Sequence, residues 1–143
     1  MTETRDSATK PLLELEGRRI RDLEAFWEEV SRSLIPGARR VGNLDAFNDI
    51  LRGGFGTPDG GFVLRWLNAG LSREALGYAE TIRYLEHRVT RCHPSNVSRV
   101  KTEIAAARRG EGPTLFDIVL EIVKTHGPGG AESEDGVELE LRW

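Results

Sequence analysis

Three short stretches of strand-forming residues lie far apart in the chain, and helical sequence separates them. Leucine alternates with glutamate in the stretch 11–17, and the chain ends in the strictly alternating stretch 137–143, so each of these strands should bury one face only. The stretch 62–66 is almost continuously apolar, which is typical of a central strand. Because helices separate the strands, parallel pairing is favoured. The sequence therefore predicts a two-layer α/β domain with helices packed on one face of a sheet.

Capping residues and apolar residues at helical spacing predict the helices between these strands. Five residues are predicted to cap helices: Asp22, Asn43, Ser72, Ser95 and Thr114. Thr114 is followed three residues later by Asp117, which resembles a capping box. His126 falls in the last turn of the helix that follows, where a cation would favour the helix dipole.

Length and composition predict a single cytoplasmic domain over residues 1–143, with a flexible tail at 1–10 and a mobile loop at 127–136. The net charge of −3 argues against a general nucleic-acid binder. The longest apolar stretches are too short for a membrane span, and the polar N-terminus does not resemble a signal peptide. A single cysteine excludes an internal disulfide and fits a reducing compartment.

Two groups of residues invite a catalytic or metal-binding interpretation. The glycine-rich stretch 53–61 follows a helix, precedes a strand and has no Gly-Lys-Ser/Thr triplet, so it is interpreted as a plain loop rather than a phosphate site. Cys92 lies close in sequence to His87 and His93, which suggests either a metal site or a thiol nucleophile. Its place on an apolar stripe favours a buried structural thiol. We therefore predict no metal and no cofactor, and we keep a small thiol enzyme as a third interpretation.

The helix predicted to begin after Asn43 carries two carboxylates on its outer face. At about 100° per residue, Asp45 and Asp49 point away from the apolar stripe and lie one turn apart. Like charges at this spacing cost a few tenths of a kcal/mol in an isolated helix. Two interpretations remain open. Either Asp45 serves the helix dipole and Asp49 pairs with Arg52, or the two carboxylates form a binding surface.

The stretch 42–51, Gly-Asn-Leu-Asp-Ala-Phe-Asn-Asp-Ile-Leu, followed by Gly53, resembles the acidic helix of the barstar family of intracellular ribonuclease inhibitors. The predicted strands and helices also follow in the order of that family. The likeness covers roughly residues 11–66 and 113–143. The segment 67–112 is a helical extension relative to compact members. The resemblance implies a three-stranded parallel sheet backed by helices.

The resemblance also implies a function. Asp45 and Asp49 would stand in for RNA phosphates in the active site of a ribonuclease, in an immunity or antitoxin role without catalysis. The partner-binding residues implied are Asn43, Asp45, Asn48, Asp49, Arg52 and Gly53. Glu121 is a candidate for a further acidic contact. Where family members usually carry aromatic residues, this chain has Arg39-Arg40-Val41, and Asn48 replaces a common tryptophan.

The segment 67–112 supports an alternative, because it holds eight basic and only five acidic residues. In this alternative the chain is a barstar-fold regulator whose protein partner is not a nuclease. The candidate contacts are Thr81, Arg83, Arg88, Arg91 and Arg99. Neither interpretation involves a membrane or direct nucleic-acid binding.

Overall fold

The structure, a computed structural model, describes residues 10–37 and 41–143. Within these residues there are three strands: β1 (Leu12–Glu16), β2 (Phe62–Leu67) and β3 (Val137–Leu141). The same residues form six α-helices: α1 (Leu23–Leu34), α2 (Leu44–Arg52), α3 (Ala69–Ala75), α4 (Tyr78–Val89), α5 (Val97–Arg108) and α6 (Leu115–Thr125). Short 3-10 turns occur at Gly17–Arg19, Pro94–Asn96 and Ser133–Asp135. The predicted tail at 1–10 lies, except for Lys10, outside the described residues.

The three strands form one parallel sheet in the order β1-β2-β3, which confirms the predicted fold class. Alternation buries one face of the sheet, so that Leu15, Leu64 and Trp66 are fully covered. On the open face, register places Arg65 between Glu14 and Glu140. The Arg65 guanidinium contacts the Glu140 carboxylate at 2.5 Å and the Glu14 carboxylate at 3.4 Å. Charge pairing across the strands therefore keeps this face compatible with water.

Aromatic side chains fix α1, α2 and α6 on the buried face. Phe26 of α1 stacks on Trp66 at 5.7 Å between ring centroids and meets the edge of Phe47 in α2 at 5.5 Å. Phe116 of α6 makes an edge contact with the Trp66 ring, at 5.3 Å between ring centroids. Because offset and edge-to-face aromatic contacts are directional, this cluster sets the orientation of α2 as well as its depth.

Three of the five predicted caps are confirmed. Asp22 Oδ1 accepts a hydrogen bond from the Ala25 N–H at 2.8 Å, at the start of α1. Thr114 and Asp117 exchange the two hydrogen bonds of a capping box at the start of α6. Asn43 caps α2, as described below.

The predicted caps at Ser72 and Ser95 are wrong. Ser72 lies inside α3, is fully buried, and accepts a hydrogen bond from the Trp66 indole N–H at 2.9 Å. Ser95 lies in the turn that precedes α5, where the His93 ring nitrogen Nδ1 accepts its backbone N–H at 3.1 Å. Ser72 is engaged by a tertiary contact and Ser95 by a residue close to it in sequence, so neither serine caps a helix.

The segment 67–112 folds as α3, α4 and α5, and α4 and α5 enclose a small second core. Leu85, Val100 and Ile104 form that core, with Cys92 partly buried against it. Thr81 links the segment to the main domain, since its hydroxyl accepts the Leu115 N–H at 2.8 Å.

The loop 127–136 contacts the rest of the protein at several points. The Glu132 N–H donates to the Thr125 carbonyl at 2.9 Å. The residues on either side of the loop are also joined, because the Val137 N–H donates to the His126 carbonyl at 2.9 Å. Side chains of the loop also contact α2, as described below. The mobility of this loop stays a prediction. Within the described ranges, every helix is too short or too polar to cross a membrane.

Candidate functional site

The acidic helix α2 begins and ends where the sequence predicts. Asn43 Oδ1 accepts a hydrogen bond from the Ala46 N–H at 2.7 Å, which fixes the first turn. Phe47, Ile50 and Leu51 are buried in the main core. Gly53, at φ +98°, ends the helix in a conformation that favours glycine. One face of α2 is therefore held rigidly, and the opposite face is presented to solvent.

Asp45 and Asp49 lie on the exposed side, one turn apart, as predicted. Asp45 is exposed, and the Asp49 side chain keeps 51% of its accessible surface. Burial raises the pKa of the neighbouring Tyr84 on α4, and the Asp45 carboxylate adds to the increase. Asp49 meets Arg52 only at 3.5 Å. Arg39 and Arg40, which flank the helix in sequence, lie outside the described residues.

Arg52 binds mainly to the loop 127–136 rather than to Asp49. Its Nε and Nη2 atoms donate to the two carboxylate oxygens of Glu132 at 2.8 and 3.2 Å. This fork-shaped pairing raises the pKa of Arg52 and lowers the pKa of Glu132. Arg52 therefore ties the end of α2 to the loop and leaves the Asp49 carboxylate available for other contacts.

The side-chain amide of Asn48 contacts a buried histidine through its oxygen atom. Its Oδ1 lies 2.7 Å from His126 Nε2, and His126 Nδ1 lies 2.6 Å from Asp135 Oδ2. His126 is fully buried. A structural role was predicted for it at the end of its helix, and the structure shows the contacts that serve such a role, one side chain on each ring nitrogen. Asn48 precedes His126 by 78 residues, so no local sequence signal could have revealed the contact.

A groove of about 450 Å³ runs between α2 and α6 and extends the acidic surface. Ile118 and Ile122 provide its apolar lining, and Asn48 lies on the α2 side. Asp117 and Glu121 line the same groove and are exposed. The structure thus places Glu121, the further acidic candidate, across this groove from Asn48.

The glycine-rich loop after α2 presents an aromatic side chain that the sequence analysis missed. Phe55 is 55% exposed, and the glycines beside it, Gly54 and Gly56, both have positive φ. The loop is anchored through Thr57, whose buried hydroxyl donates to the Ile50 carbonyl at 3.0 Å. A phenylalanine between glycines in a polar loop was the available signal. An aromatic ring next to an acidic helix suits a binding surface, since aromatic residues are enriched among strong interface contacts.

The alternative contacts in the segment 67–112 are only partly available. Thr81 is 2% exposed, so its prediction as a surface contact is wrong; its hydroxyl is used inside the fold. Arg83 is shared between Glu24 and Glu80 at 2.8 and 2.6 Å. Arg91 and Arg99 are exposed, and Arg88 is half-buried.

The histidine and cysteine candidates do not assemble into a catalytic centre within the described residues. Cys92 is half-buried against the second core, with its sulfur 3.9 Å from the Val89 carbonyl oxygen. The His93 ring contacts Ser95 instead, at 2.7 Å between Nδ1 and Oγ. His87 is exposed in a separate groove beside Trp27.

The described residues contain one set of side chains with a spacing that would suit a metal ion. Ligand atoms of His126, Glu132 and Asp135 lie within 4.8 Å of one another. The His126 ring is already engaged by Asp135 and Asn48, and the Glu132 carboxylate by Arg52. The three groups satisfy one another within the protein, and we assign no metal to them.

Comparison with known proteins gives one match. The family model described as "Barstar (barnase inhibitor)" matches residues 11–122, a span that includes α2 and the whole helical segment 67–112. No curated protein and no solved structure is significantly similar to the chain.

Proposed function

The chain belongs to the barstar family, a family of inhibitors rather than enzymes, and on that premise we propose that it masks the active site of a ribonuclease with the exposed face of α2. In this proposal Asp45 and Asp49 occupy the positions of RNA phosphates among the cationic catalytic groups of the enzyme. The observation that carries the proposal is the pair of outward carboxylates on a helix whose other face is locked in the core.

The physical argument depends on preorganisation and charge. Complementary charge speeds the encounter of two proteins, and hydrogen-bonded ion pairs that lose water on binding slow their separation. Because α2 is capped by Asn43 and packed through Phe47, the carboxylates need little ordering when the partner arrives. Arg52 supports this arrangement because it donates two hydrogen bonds to Glu132. Its guanidinium lies 3.5 Å from the Asp49 carboxylate, which leaves that carboxylate available for a partner.

The binding surface extends beyond α2 on two sides. Asp117 and Glu121 border an apolar groove that fits the stem and head of a partner arginine or lysine. Phe55 offers an apolar anchor on the loop after α2. In this proposal Gly53 sets the direction of that loop, and Asn43 presents the start of the helix. The six predicted contact residues thus divide into direct contacts and residues that shape the surface.

The test uses a ribonuclease captured by the immobilised wild-type chain from its native host and an assay of RNA cleavage. We expect the wild-type chain to suppress cleavage, and the variant Asp45→Asn/Asp49→Asn to need a concentration at least about 100-fold higher, as expected for two lost charged hydrogen bonds. Inhibition by the wild type should weaken as salt rises, and inhibition by the variant should depend less on salt.

The matched control is Glu74→Gln/Glu103→Gln. It changes the net charge by the same amount at exposed positions on α3 and α5. The proposal fails if this control loses as much inhibition as the α2 variant, or if the α2 variant inhibits as well as the wild type.

The alternative function, regulation of a partner that is not a nuclease, is supported by the exposed Arg91 and Arg99. A captured protein without ribonuclease activity would favour it. Its binding should then survive loss of the two aspartates and decline in Arg91→Gln/Arg99→Gln.

A further inference from the structure

His126 lies, fully buried, between two side chains that both present oxygen atoms. Asp135 Oδ2 lies 2.6 Å from Nδ1, and Asn48 Oδ1 lies 2.7 Å from Nε2. A carboxylate can only accept hydrogen bonds, so Nδ1 carries a proton. With Asn48 Oδ1 opposite Nε2, that nitrogen must donate as well. This orientation of the amide is the one that suits a doubly protonated ring.

The neutral ring can occupy the same place if the Asn48 amide turns over. When Nε2 loses its proton it becomes an acceptor, and the Asn48 amide nitrogen then donates to it. The oxygen and the NH₂ group of an asparagine amide are nearly equal in size, so a half-turn of the amide exchanges them without repacking. The hydrogen bond between Nδ1 and Asp135 is kept in both states.

We infer that His126 sets, through the Asn48 amide, whether the surface of α2 presents a hydrogen-bond donor or an acceptor, and so couples partner binding to pH. Asn48 lines the groove between α2 and α6. With a charged His126 the amide offers its NH₂ group to that groove, and with a neutral His126 it offers its carbonyl oxygen. His126 is a positioning residue in this scheme, because it acts only through Asn48.

The effect on binding rests on the proposed function. A cationic cleft offers N–H donors, so it prefers the state in which Asn48 presents oxygen. Affinity should therefore rise as the pH rises and His126 loses its charge. By linkage, binding of a cationic partner releases a proton from His126.

The charged groups around the ring allow both states. Asp135 contacts the ring from the turn at 133–135. A carboxylate oxygen of Glu132 lies within 4.8 Å of the contacting atoms of both His126 and Asp135. From α2, Arg52 neutralises much of Glu132 through its two hydrogen bonds. On α6 itself, Lys124 is exposed. The close carboxylates compensate a charged ring, and the Arg52 contact limits the excess negative charge when the ring is neutral.

The experiment uses the free, ¹⁵N-labelled chain of 143 residues, with no partner present. The charge state of His126 is followed by its ring nitrogen shifts between about pH 5.5 and 8.5, a range in which histidines commonly titrate. As the ring becomes neutral, we expect a through-hydrogen-bond ¹⁵N–¹⁵N coupling to appear between Asn48 Nδ2 and His126 Nε2. The side-chain amide signals of Asn48 should shift over the same pH range. His87 is the internal control: it is exposed, and its titration should leave the Asn48 amide unchanged.

The inference is overturned if His126 keeps one charge state throughout this range, or if it becomes neutral without the coupling appearing. The partner is tested separately, by calorimetry of the captured ribonuclease in buffers of different ionisation enthalpy. Binding to the wild type should release more protons than binding to Asn48→Ala, and equal release would overturn the coupling to the partner. If the coupling appears but the captured protein is not a nuclease, the proposed function fails while the amide reversal stands.

Discussion

Thr81 makes a hydrogen bond whose removal should destabilise the protein measurably. The hydroxyl accepts the Leu115 N–H at 2.8 Å and donates to the Gly77 carbonyl at 2.8 Å. Leu115 is the first residue of α6 and is fully buried. Its N–H is one of the donors that a helix leaves without an internal acceptor. In Thr81→Val the shape is kept, but this N–H loses its acceptor.

The expected cost follows from the burial of both residues. A buried donor without an acceptor costs about 1–3 kcal/mol. Taking the middle of that range, about 2 kcal/mol, and subtracting at most roughly 0.8 kcal/mol for the added methyl group, we expect the free energy of unfolding to fall by about 1–2 kcal/mol. Urea unfolding followed by tryptophan fluorescence measures this change. For a slope of about 2 kcal/mol/M, the midpoint should fall by about 0.5–1 M.

Thr102→Val is the matched control. Thr102 is exposed on α5, and its hydroxyl donates to the Ser98 carbonyl four residues earlier, as Thr81 does to Gly77. Because the Thr102 hydroxyl accepts no buried backbone N–H like that of Leu115, the free energy of unfolding of this variant should differ from the wild type by no more than about 0.5 kcal/mol. Equal losses in the two variants would refute the argument that Thr81 joins the segment 67–112 to α6.

Two further predictions concern the binding surface and acid stability. Phe55→Ser should lower the affinity for the captured ribonuclease about tenfold, as expected for an aromatic interface contact, while the urea midpoint stays within error. The exposed control Leu71→Ser should keep full affinity, and a loss in both variants would contradict a specific role for Phe55. The Arg83 guanidinium and the Leu23 N–H hold the pKa of Glu80 below its ordinary value of 4.5. The stability that ionised Glu80 contributes is therefore complete above that pH and lost as the pH falls further. Glu80→Gln should be less stable at pH 7 and lose less stability on acidification, as measured by urea unfolding at several pH values; an unchanged slope of stability against pH would contradict this assignment.

The sequence predicted the features that depend on local chemistry. The caps at Asp22, Asn43 and Thr114 need only a side chain and a backbone N–H three residues later, and the structure has all three. The alternation of apolar and charged residues along the outer strands likewise predicted the sheet and its solvent-facing side. The outward direction of Asp45 and Asp49 followed from helical geometry alone.

The features that sequence reasoning missed depend on contacts between distant residues. The sequence suggested that Ser72 caps a helix, but its hydroxyl oxygen accepts a hydrogen bond from the Trp66 indole N–H. His126 looked like a helix-end cation, but its neighbours come from α2 and from the turn at 133–135. Thr81 was predicted to lie at the surface, because the residues near it in sequence do not indicate its hydrogen bond with Leu115. Periodicity identifies the buried face of a helix but not the polar partner that lies beneath it.

The wide sequence separation of the sheet contacts has a consequence during protein synthesis. β2 pairs with β3 across 75 residues, and α2 meets His126 across 78, so the first contact waits for the last strand and the second for the residue that follows α6. At about 5–20 residues per second, the interval between completing α2 and completing β3 is roughly 4–18 s. Throughout that interval the sheet lacks its third strand, although α1, whose Phe26 contacts Phe47 of the acidic helix, has already been made. Under the proposed function, a cell that makes a ribonuclease and this protein together would gain protection with a lag set by translation rather than by diffusion.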